Sequence, residues 1–321
     1  MNEVVDKVKE LTTRLDKGVE EILTSDRYKS YLKQMSKFHS YSFRNSLLIL
    51  LQNENATLVA GYKTWQNEFN RQVNKGEKGI QIFAPCPYKV KKETEFTNEK
   101  GEKESRIEEV VIPKFKAVTV FDVSQTSGEP LKEIAEELKG KYQDFSRLFE
   151  AIKKCSDYEV TFKAGTEEKG SCSIKERRIT IKEGMSENHT IKTLIHEIAH
   201  EKLHAEPAEN VSANQKEIEA ESVAFVVANY FGIDTSSYSF DYISSWQERE
   251  KADVKNSLNT IQETSNMLIE SIKKNLSLER EISISDRIKG AKEKAENQPK
   301  SKKQEKDNFF LRKRFANFVS F

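Results

Sequence analysis

Leu194-Ile195-His196-Glu197-Ile198-Ala199-His200, followed by Glu217-Ile218-Glu219-Ala220-Glu221, is the stretch on which the reading of this 321-residue chain turns. Ile191, Leu194, Ile195, Ile198, Ala199 and Leu203 form an apolar stripe that predicts a buried helix over about 188–204. His196 and His200 stand four residues apart, so their rings stack on one face of that helix, with Glu197 beside them. This is the HExxH spacing: two imidazoles reach one ion while the adjacent carboxylate reaches the water at it. Four of the five histidines fall between His189 and His204, which concentrates metal-binding chemistry in one segment.

A catalytic zinc site takes three protein ligands and keeps a position open, so a third ligand is required from elsewhere. A second helix predicted over 212–231 carries Glu217 and Glu221, again four apart on one face. One can bind the metal while the other accepts the outer N–H of a ligand histidine. We assign Glu217 to the metal and Glu221 to the histidine, and the reverse order satisfies the same spacing. Glu219 points about 160° away from both. His204 lies eight residues beyond His196, a rise of about 12 Å, too far for both to hold one ion. It is left to packing or to contact with substrate, and with Tyr230 and Tyr238 it is a candidate for stabilising an oxyanion.

Outward from this segment, the chain length suggests two domains. A content of 36% hydrophobic and 33% charged residues supplies two modest cores with some solvated helix or tail. The formal net charge of +1 singles out neither nucleic acid nor membrane, but the distribution is uneven. Between Arg27 and Lys92 there are 12 Lys or Arg against three acids, and between Arg287 and Arg314 there are 11 against four. Cys86, Cys155 and Cys172 are odd in number and widely spaced, which fits no disulfide framework and suggests a reducing compartment. MNEVVDKVKELTTRLDKG is charged and amphipathic without an apolar signal core, and no stretch reaches membrane-spanning length. The expectation is a cytoplasmic protein without membrane contact.

Helices are predicted over 3–24 and 27–53, and a short one around Trp65 and Phe69. A turn at Gly76–Gly79 leads into a strand from Ile80, then a hairpin over 89–110 with its tip near Gly101, returning through Phe115–Val123. Thr126-Ser-Gly-Glu-Pro130 is the most linker-like stretch of the first half. The chain therefore divides into residues 1–127, residues 128–275, and a charged tail over 276–321. In the second part, a helix over 131–154 and strands near 158–163 and 171–182 precede the HExxH helix, and a further helix ends near Lys274. The tail is rich in Lys, Glu, Gln and Asn, and its Phe309-Phe-Leu-Arg-Lys-Arg-Phe315 mixes aromatic with basic residues. The fold class expected is α+β in two domains.

His196-Glu197-Ile198-Ala199-His200 with Glu217-Ile218-Glu219-Ala220-Glu221-Ser222-Val223-Ala224-Phe225 resembles the ImmA/IrrE-type zincin-like metallopeptidases, related to the wider gluzincins. The resemblance implies Zn²⁺ held by His196, His200 and Glu217, with Glu197 as general base and Glu221 supporting a histidine. Glu221 departs from the family's usual Asn or Asp. Arg178-Ile-Thr-Ile181 resembles the family's edge strand, which can pair with an extended protein substrate.

In the first half, basic residues interleave with aromatics, a pattern suited to tracking phosphates while bases stack. Ser42-Phe-Arg-Asn-Ser46, Gly61-Tyr-Lys-Thr-Trp65, Val73-Asn-Lys-Gly-Glu-Lys-Gly79 and Lys116–Gln125 are similar to the N-terminal domain of ArdC-type antirestriction proteins. That family binds single-stranded DNA and occurs on mobile elements beside a zincin-like domain, with the two blocks in the order found in this chain. The resemblance implies DNA contacts from Arg44, Lys63, Arg71, Lys75 and Lys78, with Tyr41 and Tyr62 stacking on bases and Trp65 in the core.

Overall fold

The computed structural model describes residues 2–97, 103–131, 144–205, 211–238 and 240–276. The tip near Gly101, the first part of the 131–154 helix, Glu206-Pro207 and the charged tail lie outside them. The architecture is mixed α and β.

Three helices open the chain: α1 (Asn2–Glu21), α2 (Ser25–Lys37) and α3 (Phe43–Gln52). The single helix expected over 27–53 is two, because the chain leaves helical geometry at Phe38 and restarts at Ser42, whose side chain accepts from Asn45 N. After β1 (Val59–Gly61) comes α4 (Tyr62–Glu68), which buries Trp65 completely and lets its Nε1 donate to Phe121 O at 2.9 Å. β2 (Arg71–Val73) is followed by a turn at Gly76, where φ is +89° and glycine avoids the Cβ penalty.

β3 (Ile80–Pro85) and β6 (Phe115–Asp122) pair antiparallel, and β1 joins the other side of β6, in the order β1-β6-β3. The outer edge of β3 is closed by side chains of α3. Asn45 exchanges two hydrogen bonds with the backbone of Phe83, both 2.9 Å, and Gln52 does the same with Gln81 at 2.9 and 3.0 Å. Between β3 and β6 a ribbon of β4 (Tyr88–Thr97) and β5 (Lys103–Ile112) leaves the sheet. The hairpin's return strand is thus β5, and Phe115–Asp122 belongs to a different sheet, correcting the expected pairing. The linker-like Thr126–Gly128 is β7, paired with β2.

The second half contributes α5 (Phe145–Lys153), β8 (Glu159–Lys163), β9 (Gly170–Ser173), β10 (Arg178–Lys182), α6 (Glu187–His204), α7 (Ala213–Tyr230), a 3₁₀ segment Asp241–Glu248 and α8 (Lys251–Asn275). The strand expected over 171–182 is two strands joined by a turn, with Arg177 at φ +51°. β10 pairs parallel with β8 and antiparallel with β9, so Arg178–Ile181 is the middle strand rather than the edge strand expected. The edge beside α6 belongs to β9.

One apolar cluster crosses from the first half to the second. Leu15, Val19, Tyr31, Leu32, Met35, Leu47 and Leu48 of α1–α3 pack with Val223, Val227, Leu258, Ile261 and Ile269 of α7 and α8. Polar ties follow the same seam: Ser46 Oγ donates to Gln262 Oε1 at 3.2 Å, and Asn229 Nδ2 to Ser36 Oγ at 2.6 Å. Cys86, Cys155 and Cys172 are free thiols. Among the described residues no helix is long and apolar enough to cross a membrane.

Candidate metal centre and its relatives

α6 begins where Ser186 accepts from His189 N, and its apolar side is buried through Ile191, Leu194, Ile195 and Ile198. That burial fixes the rotation of the helix and turns His196 and His200 toward α7. Their Nε2 atoms stand 3.0 Å apart. Glu217, one turn into α7, reaches both: Oε2 lies 3.5 Å from His196 Nε2, and Oε1 lies 3.4 Å from His200 Nε2. His196, His200 and Glu217 each offer one ligand atom within a 4.8 Å span. Two imidazoles and a carboxylate converging in this way suit a divalent cation.

Glu221 sits one turn further on, with Oε2 3.0 Å from His196 Nδ1. It therefore occupies the outer nitrogen and leaves Nε2 for the centre. Burial works against a charged His196, but its hydrogen bonds to Glu217 and Glu221 outweigh burial and raise its pKa to about 10. The same bonds from His196 and His200 hold the Glu217 carboxyl well below the usual range. The centre thus gathers negative charge that a cation can replace the imidazole proton in balancing. Glu197 is buried, and burial raises its carboxyl pKa although His196 and His200 pull it down. A raised carboxylate pKa favours taking up a proton.

Glu219 turns away, accepting from Gln215 Nε2 at 2.9 Å. His204 lies outside the ligand cluster: its Nε2 is 3.2 Å from Lys216 O and 3.9 Å from Glu219 Oε2, tying the two helices together. The Tyr238 hydroxyl is buried without a hydrogen-bond partner among the described residues, and its ring lies 5.4 Å from Phe225, one turn after Glu221.

The HExxH spacing does not single out two further residues. A Cβ on Gly170 of β9 would stand 2.4 Å from Thr193 Cγ2 and 2.7 Å from Glu197 Oε1, so the edge strand approaches Glu197 as closely as a glycine allows. Glu201, next to His200, is buried and accepts from Asp157 N at 2.9 Å and Lys202 Nζ at 2.7 Å, fixing the segment before β8 to α6. A buried Glu in the turn after the motif was visible in sequence as an acid on the apolar side of the helix.

Among the proposed DNA contacts, Arg44, Tyr62, Lys63, Lys75 and Lys78 are exposed. Tyr62, 46% exposed, lines a cleft of about 630 Å³ with Asn74, Lys75, Phe121 and Ser127. Two of the residues are placed otherwise. Arg71 spends its guanidinium on Thr126 Oγ1, Thr126 O and Glu129 O, at 2.7, 2.7 and 2.5 Å. Tyr41 packs edge-on to Phe38 and donates to Val59 O at 3.2 Å, so it belongs to the smaller core.

Residues 1–121 match the family model described as the N-terminal domain of anti-restriction factor ArdC. These residues are an ArdC-type domain. The chain is also 27% identical over 323 aligned positions to an uncharacterised protein of Bacillus anthracis, pXO2-81, covering 87% of this chain and 52% of that protein. It thus spans about half the length of the curated relative it matches. Two crystal structures of the antirestriction ArdC protein from plasmid R388 are similar. The metal-free form is 20% identical with a TM-score of 0.46, over 73% of this chain and 85% of the other. The Mn(II)-bound form is 18% identical with a TM-score of 0.45, over 73% and 84%. The ArdC-type domain contains α1–α4 and all but the last residue of β6, and its α1, α2 and α3 pack against α7 and α8.

Proposed function

We propose that this chain is a cytoplasmic antirestriction protein of a mobile genetic element. In this reading the ArdC-type domain binds single-stranded DNA, and a zincin-like second half cleaves a protein substrate. The observation that carries the hydrolytic reading is the convergence of His196, His200 and Glu217 beside the buried carboxylate of Glu197. By donor chemistry Zn²⁺ suits this set, and when bound it supplies Lewis acidity for the carbonyl and for the attacking water. Glu197 takes the water's proton and returns it to the leaving amine. Glu221 orients His196 through Nδ1. The edge of β9 at Gly170 offers an extended peptide main-chain partners within reach of Glu197.

Support for the DNA reading comes from the family of residues 1–121 and from Tyr62 and Lys75 sharing one open cleft. Aromatic faces for bases and cations for phosphates are the two needs of single-strand binding. Three free thiols suit a reducing compartment.

The test uses the full chain. Glu197→Gln removes the base and leaves the three ligands, so metal-dependent cleavage of a peptide library should stop while metal content and oligonucleotide binding persist. Retention of the metal by a His196→Ala, His200→Ala double variant would overturn the assigned centre. For the DNA half, a labelled single strand and its duplex are compared at two salt concentrations. Salt-sensitive, single-strand-selective binding weakened by Lys75→Glu supports the reading, and equal or absent binding refutes it.

A further inference from the structure

Among the described residues the strands of the β4–β5 ribbon pair only with each other. The two strands pair over ten residues each, from Tyr88↔Ile112 to Thr97↔Lys103, and form a two-stranded sheet with no third strand among the described residues. A two-stranded ribbon alone in water is marginally stable. This one also exposes apolar side chains: Ile107 is 68% and Val111 is 56% exposed. The contrast with β3 is direct, because Asn45 and Gln52 cover the edge of that strand. Open strand edges are templates for pairing with another chain.

A second copy of this chain fits the outer edge of β5. In an antiparallel pair related by a twofold axis, directly opposed residues share a face of the sheet, so the axis passes a residue that meets itself. Centred on Ile107, that register sets Ile107 against its own copy and Arg106 against Glu108 of the partner subunit, twice. Arg106 and Glu108 already lie on one face, 3.6 Å apart. Since Lys92 is directly opposite Glu108 and Thr94 opposite Arg106 within the ribbon, each row across the four strands would run Lys92, Glu108, then Arg106 of the partner subunit and Thr94 of the partner subunit, with its three charges alternating in sign. The edge of β4 offers no equivalent. Centring on Val90 opposes Lys89 to Lys91, and centring on Lys91, Lys92 or Glu93 opposes each charge to itself.

We infer that the β5 edge is a homodimer interface, in which two ribbons join through Ile107 and reciprocal Arg106–Glu108 pairs into a four-stranded sheet. The ribbon carries acids and bases in near balance, which suits a like partner rather than a phosphate backbone.

Sedimentation velocity of the full chain across a wide concentration range tests this. The expected result is a concentration-dependent dimer. Arg106→Glu and Glu108→Arg, made singly, oppose like charges at both pairs and should each weaken dimerisation at least about tenfold. The double variant restores opposite charges across the axis but sets a base opposite Lys92 within each ribbon, so it should dimerise more tightly than either single variant without reaching the original. Because these residues are exposed, circular dichroism should be unchanged throughout. A chain that remains monomeric at all concentrations, or a dimer indifferent to the single reversals, or one no tighter in the double variant than in either single variant, overturns the proposal.

Discussion

The hydroxyl of Tyr28 lies 2.8 Å from Ser222 Oγ, both fully buried, so a helix of the ArdC-type domain is bonded to the turn of α7 that follows Glu221. Ser222 also donates to Ile218 O at 2.6 Å, which leaves its oxygen free to accept from Tyr28. Tyr28→Phe removes that donor and keeps the ring between Tyr31, Phe240 and Trp246. The expected loss is about 1 kcal/mol, read as a lower urea midpoint with an unchanged slope. A larger effect follows truncation after residue 127. It uncovers the apolar faces of α1–α3 that α7 and α8 bury, so the fragment should show the broad melting and dye binding of a loosely packed chain. Sharp cooperative melting of the fragment would show that the seam is dispensable.

The metal centre should be measurable as stability. A ion that binds only the folded chain stabilises it by about 2.7 kcal/mol at a hundredfold excess over its dissociation constant. Zn²⁺ should therefore raise the melting temperature of the native chain, and His196→Ala should remove that rise. Glu221→Gln keeps the three proposed ligands but weakens the acceptor at His196 Nδ1, and a 10- to 100-fold loss of affinity is the order expected. A variant that binds Zn²⁺ as tightly as the native chain would leave Glu221 without the supporting role.

Gly170 gives a test that leaves every ligand in place. In Gly170→Ala the new methyl meets Thr193 Cγ2, a stiff branched side chain on a helix, and the Glu197 carboxylate. Either β9 retreats or Glu197 turns, at a cost of about 1–3 kcal/mol. Hydrolysis should fall while the metal-induced rise in melting temperature is retained, since His196, His200 and Glu217 are not displaced. Full activity in this variant would place the reacting peptide away from β9.

How much of this was legible in the sequence follows the range of the interactions. The cluster of His196, His200, Glu217 and Glu221 was readable because each pair is set by the local pitch of one helix. The break at Phe38 was not, since the run from Arg27 to Gln52 keeps an apolar pattern while Ser42 recaps the helix. Arg178–Ile181 was mistaken for an edge because a strand's neighbours are long-range facts: its alternation is the same whether one side or both are paired. Arg71 and Tyr41 have the residue types of nucleic-acid contacts, and only their bonds to Thr126 and Val59 reveal an internal use. Thr126–Gly128 looked like a linker by composition, and β2 recruits it as a strand.

Asp122 supplies a pH-dependent prediction far from the metal centre. It closes β6 with a capping box and accepts from Thr57 N at 2.8 Å, Leu58 N at 3.1 Å and Ser124 N at 2.9 Å. Burial raises its carboxyl pKa, but the hydrogen bonds from Ser124, Thr57 and Leu58 outweigh burial and leave the folded value below the ordinary one. A depressed folded value stabilises the fold above the unfolded pKa of about 3.9, and that contribution is lost as pH falls through the folded value. Asp122→Asn turns an acceptor into a donor facing amide N–H groups, and should cost about 1–3 kcal/mol at neutral pH. Urea unfolding of both proteins between neutral pH and about pH 4 should show a constant gap that begins to close only at the acid end. A gap that widens toward acid would mean that the carboxylate is not held by these bonds.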